Sequence, residues 1–106
     1  MDTIVVLSTT DTRELAETIA AALVEAGEAA CVNIVGGIRS VYRWEGALCS
    51  EAECLLLIKS TAEKFEAVRD RIRRLHTYEI PEIIALPVTQ GDAAFLNWLH
   101  ASVSGK

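Results

Sequence analysis

The chain has 106 residues, of which 51% are hydrophobic and 24% charged. That is enough apolar material for a single packed domain across residues 1–106 and too little net charge for a disordered segment. Ten basic against fifteen acidic residues leave a net charge of -5 with both histidines neutral, a field of the wrong sign for phosphate backbones, which argues against nucleic acid as a partner. Three cysteines, Cys31, Cys49 and Cys54, form neither an even set nor a C-x-x-C pair, so a disulfide framework and a zinc knuckle are both disfavoured and a reducing compartment is expected.

Thr3 to Leu7 is a β-branched and aliphatic run, the pattern of a buried strand. Ser8-Thr9-Thr10-Asp11 follows as a turn, and Leu15, Ile19, Leu23 and Ala26 then recur at helical spacing. Asp11 or Thr12 can cap that helix and Gly27 can end it. From Ala29 to Arg43 the chemistry returns to strand, interrupted by Gly36-Gly37, a pair that marks a bulge or bend. Trp44-Glu45-Gly46 supplies a turn, and a second strand runs through Cys54 to Lys59. Each arm of this hairpin exceeds ten residues, against a usual strand of about 5 to 6, so the arms are expected to project beyond a small sheet.

Ser60 and Thr61 can cap a second helix whose buried stripe is Phe65, Val68, Ile72 and Leu75, ending near His76. Between Pro81 and Pro87 lies the apolar run Ile83-Ile84-Ala85-Leu86, an edge or bent strand. Gly91-Asp92 then opens a third helix carrying Phe95, Leu96, Trp98 and Leu99. The order strand, helix, strand, strand, helix, strand and final helix predicts an α+β fold, the ferredoxin-like βαββαβ plait with a long hairpin between its second and third strands and a C-terminal helix. The strands are near-continuously apolar instead of alternating, which predicts burial of both sheet faces. One helical layer cannot achieve that in a lone chain, so a homo-oligomer is expected. Met1-Asp2-Thr3 carries no basic leader, and no apolar stretch approaches the ~20 residues that span a bilayer. The expected location is the cytoplasm, with no membrane partner.

Five segments carry a resemblance: Ala29-Ala30-Cys31-Val32-Asn33-Ile34; Ser40-Val41-Tyr42-Arg43-Trp44-Glu45-Gly46; Leu57-Ile58-Lys59-Ser60; the run from His76-Thr77-Tyr78-Glu79-Ile80-Pro81 through Val88; and Gly91 with Leu96-Asn97-Trp98-Leu99. In this order they closely resemble the CutA family of divalent-cation tolerance proteins. The resemblance implies a ferredoxin-like homotrimer similar in architecture to the PII signalling proteins, with a role in tolerance to divalent ions, copper above all. In members credited with copper binding, the proposed ligands resemble a Cys in the first strand and two consecutive His before the Y-x-x-P segment. This chain has Ser8 at the first position and Leu75-His76 at the others, so His76 alone matches. Serine is a weak ligand for a borderline cation and leucine is none. No cofactor is required on this reading, and Cu(II) or another divalent cation is the candidate ion, bound weakly or indirectly.

Each candidate residue also has a purely structural reading. His76 can complement the end of the second helix, and its removal should then leave folding intact. Cys31 fits packing, while Cys49 and Cys54, five apart on one strand, face opposite sides and cannot share an ion. Arg43 and Trp44 near the hairpin tip suit an anionic or planar ligand, and with Lys59, Tyr78 and Glu79 from a neighbouring copy they would form a polar cleft of the kind PII-like trimers use for effectors. For catalysis there is no nucleophile elbow, no H-E-x-x-H and no phosphate-binding glycine loop. Three readings follow: a non-catalytic trimer for divalent-cation tolerance, a PII-like sensor of a small molecule, and a trimeric adaptor.

Overall fold

A computed structural model describes residues 2–103 of the chain; residue 1 and residues 104–106 of the expected domain lie outside the described set. The elements are β1 (Thr3–Thr10), α1 (Arg13–Glu25), β2 (Cys31–Trp44), β3 (Ala47–Thr61), α2 (Phe65–Leu75), β4 (Ile84–Pro87) and α3 (Ala93–Val103). All strand pairings are antiparallel, in the order β2-β3-β1-β4. This is the ferredoxin-like plait, with β4 as the short edge strand between the two prolines.

Local chemistry explains most boundaries. Thr12 is the N-cap of α1, its hydroxyl accepting the Leu15 N–H at 3.1 Å, and Asp92 accepts the Phe95 N–H before α3. The hairpin turns on Glu45 and Gly46 alone, at φ +49° and +84°. That two-residue geometry matches the right-handed twist of long arms, and it leaves Trp44 as the last residue of β2. One expected cap is corrected. Ser60 and Thr61 belong to β3, the chain enters α2 through a 3₁₀ turn at Ala62–Lys64, and no side chain caps either start. The Ser60 hydroxyl instead donates to the Glu28 carbonyl, tying the end of β3 to the loop after α1.

The core lies between one sheet face and helices α1 and α2. Ile4, Val6, Leu56 and Ile58 alternate along β1 and β3, and Ala16, Ile19, Leu23, Val68 and Ile72 cover them. The third helix does not join this layer. Its Leu99 and Val103 form a separate cluster with Ala30, and His100 bonds the Thr3 hydroxyl at 2.7 Å, which sets α3 at the Thr3–Thr61 end of the sheet.

β1 pairs with β3 only from Thr61 to Cys54. Residues 47–53 of β3 pair with β2 alone, so about 23 Å of hairpin projects beyond the sheet at 3.3 Å per residue. The Cα radius of gyration is 14.2 Å, above the ~13 Å of a compact chain this long. On that projection and along β4, Val41, Leu48, Ile84 and Leu86 are 48–72% exposed. An apolar surface of this kind marks an interaction surface. The expected burial of both sheet faces is therefore not met within one chain, because the helical layer covers only one.

Candidate functional site

The site is built where the hairpin leaves the sheet. His76 ends α2 in extended conformation, its N–H still bonded to the Ile72 carbonyl. Its ring is held at both nitrogens: Nε2 lies 2.7 Å from the Thr9 carbonyl and Nδ1 lies 3.1 Å from the Tyr78 backbone N. A carbonyl can only accept and an amide N–H can only donate, so the ring is the Nε2–H tautomer with Nδ1 as acceptor. The Tyr78 ring packs on the same imidazole with centroids 4.5 Å apart. His76 thus pins the segment after α2 onto β1 and aims Tyr78, whose hydroxyl donates to Glu53 Oε2.

That arrangement closes one wall of a cleft of about 690 Å³ between the hairpin and the segment 77–82. Tyr42 and Trp44 form the hairpin wall, Tyr78, Glu79 and Glu82 the opposite wall, and Glu53 the floor. Glu53 is only 7% exposed. The tyrosines report the same environment. Burial, then the hydrogen bond to Glu53 and the negative charge around it, push the Tyr78 hydroxyl far above the ordinary phenol range. Partial desolvation and Glu51 raise Tyr42 as well.

A bulge decides which side chains enter. Val35 pairs with Leu55, but Ile38 pairs with Glu53, so Gly36-Gly37 inserts one extra residue into β2, with Gly37 at φ +73°. A one-residue slip exchanges faces. Beyond the bulge Tyr42 and Trp44 share a face with Glu53, and Arg39 and Arg43 take the other.

Of the five residues expected to form a polar cleft, the structure brings Trp44, Tyr78 and Glu79 together and leaves two out. Arg43 lies on the opposite face of the hairpin, its guanidinium reaching the Gly46 carbonyl at 3.4 Å. Lys59 is six residues from Glu53 along β3, about 20 Å away, and its ammonium bonds Asn33 Oδ1 across the β2–β3 ladder. Within one chain the lining of this cleft is acidic, because of the bulge and the length of β3; the polar cleft expected between copies, to which a neighbour brings its own side chains, is a separate arrangement. Glu53 was not anticipated, and Tyr42 and Glu82 were not assigned to the cleft. The glycine pair was the available signal, since one extra residue at Gly36-Gly37 shifts the alternation.

Among the described residues of one chain no divalent-ion site is formed. Among the described residues no three His, Cys, Asp or Glu side chains are placed to hold one. Both nitrogens of His76 are engaged, and a ligand bond there would break one of its two hydrogen bonds. Ser8 is fully buried, with no hydrogen-bond partner for Oγ among the described residues. Cys54 belongs to the core and Cys49 sits opposite Tyr42 on the other face of the strand, as their spacing requires.

Fold and site together define a ferredoxin-like protein with a projecting hairpin and a cleft at its root. The family of the CutA1 divalent ion tolerance protein matches residues 4–102. The divalent-cation tolerance protein CutA of Thermus thermophilus is 50% identical over 96 residues, covering 91% of this chain and 93% of that one. The chloroplastic protein CutA of Arabidopsis thaliana is 44% identical over 93% of this chain, which spans 54% of that longer relative. The crystal structure of CutA1 from Oryza sativa superposes with a TM-score of 0.96 at 39% identity, covering 100% of this chain and 97% of that one. The chain belongs to the CutA divalent ion tolerance family, and its role is in tolerance to divalent cations.

Proposed function

We propose that the protein acts in divalent-cation tolerance as a non-catalytic homotrimer, located in the cytoplasm, whose contact with copper or another divalent ion is indirect. The observation that carries this reading is the engagement of both His76 nitrogens, which removes the one expected ligand that the sequence retains. Assembly is supported by the apolar side chains exposed along the hairpin and β4, and by the open edges of β2 and β4, which invite pairing with further strands. The three free cysteines favour a reducing compartment. A PII-like role as a sensor has one observation in its favour, the cleft itself, to which Arg43 and Lys59 of a neighbouring copy would have to be added.

Native mass spectrometry of the metal-free protein, titrated with Cu(II) and Zn(II) beside His76→Ala, tests the proposal. The expected result is a trimer whose metal uptake is weak and equal in the two proteins. One copper per chain, lost in the variant, would overturn the indirect reading. Any other oligomer would overturn the trimer.

A further inference from the structure

We propose that the outer face of α3 is an interface between copies of this chain, anchored by Phe95 and Trp98; the inference deepens the homotrimer reading and rests on it. The helix Ala93–Val103 contains no Asp, Glu, Lys or Arg. A helix that is apolar around its whole circumference is covered on more than one side, and within the chain only one side is. Leu99 and Val103 pack with Ala30, while Ala94, Phe95, Trp98 and Ala101 recur at helical spacing and stay exposed.

The aromatic pair is set in place by the chain itself. Asp92 accepts the Phe95 N–H at 3.2 Å, and Leu96 closes on Gly91 so tightly that a Cβ there would meet its side chain at 3.0 Å. His100 bonds the Thr3 hydroxyl at 2.7 Å, which fixes the roll of the helix. The rings of Phe95 and Trp98 lie against each other with centroids 5.6 Å apart, yet the two residues are 46% and 49% exposed. Side chains already ordered in this way lose little further freedom on association.

Composition and place select a second copy as the occupant. Interfaces formed with transient partners are about as polar as the rest of the surface, whereas those between copies are more apolar, depleted in charge and rich in aromatic residues. The helix also runs between the two open edges of the sheet. It begins shortly after β4, and its packed side meets Ala30, the residue before β2. A cyclic trimer joins two different patches of the chain, and α3 reaches the margins of both edges, so its outer face is carried into the contact.

The test replaces Phe95 by the photoreactive residue 4-benzoylphenylalanine in the full chain, at low micromolar concentration in its native oligomeric state, with the native mass measured on the same sample. Irradiation should join one chain covalently to another. Phe95→Ala and Trp98→Ala should each weaken self-association by on the order of thirtyfold, with helix content by circular dichroism unchanged. A trimer that gives no crosslink between chains, or whose self-association both alanine variants leave unchanged, would overturn the proposal while the trimer reading stands. A monomeric parent would overturn both. Where an alanine variant fails to fold, the crosslink alone decides.

Discussion

Replacing Ser8 by alanine should stabilise this protein. Ser8 lies on the helix-facing side of β1, opposite Leu56, at 0% exposure, and its hydroxyl has no hydrogen-bond partner among the described residues. A buried hydroxyl left unpaired costs about 1–3 kcal/mol, the desolvation it undergoes without compensation. Deleting the oxygen opens a void no larger than about 15 Å³, which at ~24 cal/mol per Å³ costs about 0.4 kcal/mol. The difference favours Ser8→Ala by about 1–2 kcal/mol. For a domain of this size each kcal/mol moves the melting midpoint by roughly 4–8 °C, so the rise is well within reach of calorimetry at fixed protein concentration. Ser8→Cys should also stabilise, because a thiol in this core behaves as a small apolar group. A loss of 1 kcal/mol or more in Ser8→Ala would refute the reasoning, and would mean that the hydroxyl bonds an ordered water that bridges it to the backbone.

Four further outcomes follow from the same geometry. His76→Ala should lose about 1–2 kcal/mol, since both ring hydrogen bonds go, where the sequence alone made the ring dispensable for folding; urea unfolding that matches the parent would contradict this. Trp44→Ala should weaken self-association by roughly thirtyfold or more, the equivalent of an aromatic anchor worth about 2 kcal/mol, and sedimentation at low micromolar protein would show an unchanged mass if the ring lies outside the interface. Both tyrosines are held above the usual phenol range, so the folded state favours the neutral form. Stability is then intact below about pH 10, the value of a free tyrosine, and falls as the pH rises beyond it. Phenolate absorbance should develop at higher pH in the folded protein than in urea, and coincident titrations would be evidence against the cleft environment. Deleting Gly37 should let Gly36 pair with Cys54 while Ile38 stays opposite Glu53, recovering ladder bonds and removing a residue at positive φ, so the hairpin should gain stability, and a loss in urea unfolding would show that the bend itself is needed.

The fold was legible because its signals are local. Helical spacing through Leu15, Ile19 and Leu23, the cap at Thr12 and the turn at Glu45-Gly46 each need only neighbours in the chain, and the structure places each element there. Ser60 misled for the opposite reason: its hydroxyl is used by the Glu28 carbonyl, 32 residues away, so a residue of capping type serves a tertiary contact. The third helix was readable as a helix, but its separate cluster with Ala30 depends on where the sheet ends. The site was less legible still. Tyr78 and Glu79 could be named from the proline-bounded segment, yet Glu53, the partner of Tyr78, stands 25 residues earlier in β3, and nothing in its own neighbourhood marks it as the floor of a cavity.

The charge of the cleft comes down to one extra residue. β2 places Val35 opposite Leu55, and without the bulge the alternation would continue through Arg39, Val41 and Arg43 on the face of Glu53 and Glu51. Two arginines would then neutralise those carboxylates, and the cleft would suit an anion. The inserted residue at Gly36-Gly37 turns both guanidiniums away and brings Tyr42 and Trp44 in, leaving Glu53 buried with a neutral partner. A bulge costs ladder hydrogen bonds and needs a glycine at positive φ. Here it also places Glu53, bonded by the Tyr78 hydroxyl, inside an aromatic-walled cleft, next to a histidine whose two hydrogen bonds hold the opposite wall in place. Within the single chain it gives up ladder bonds that an ungapped register would keep. The bulge is therefore better understood as serving what the cleft and the projecting hairpin recognise than as serving the fold of the single chain.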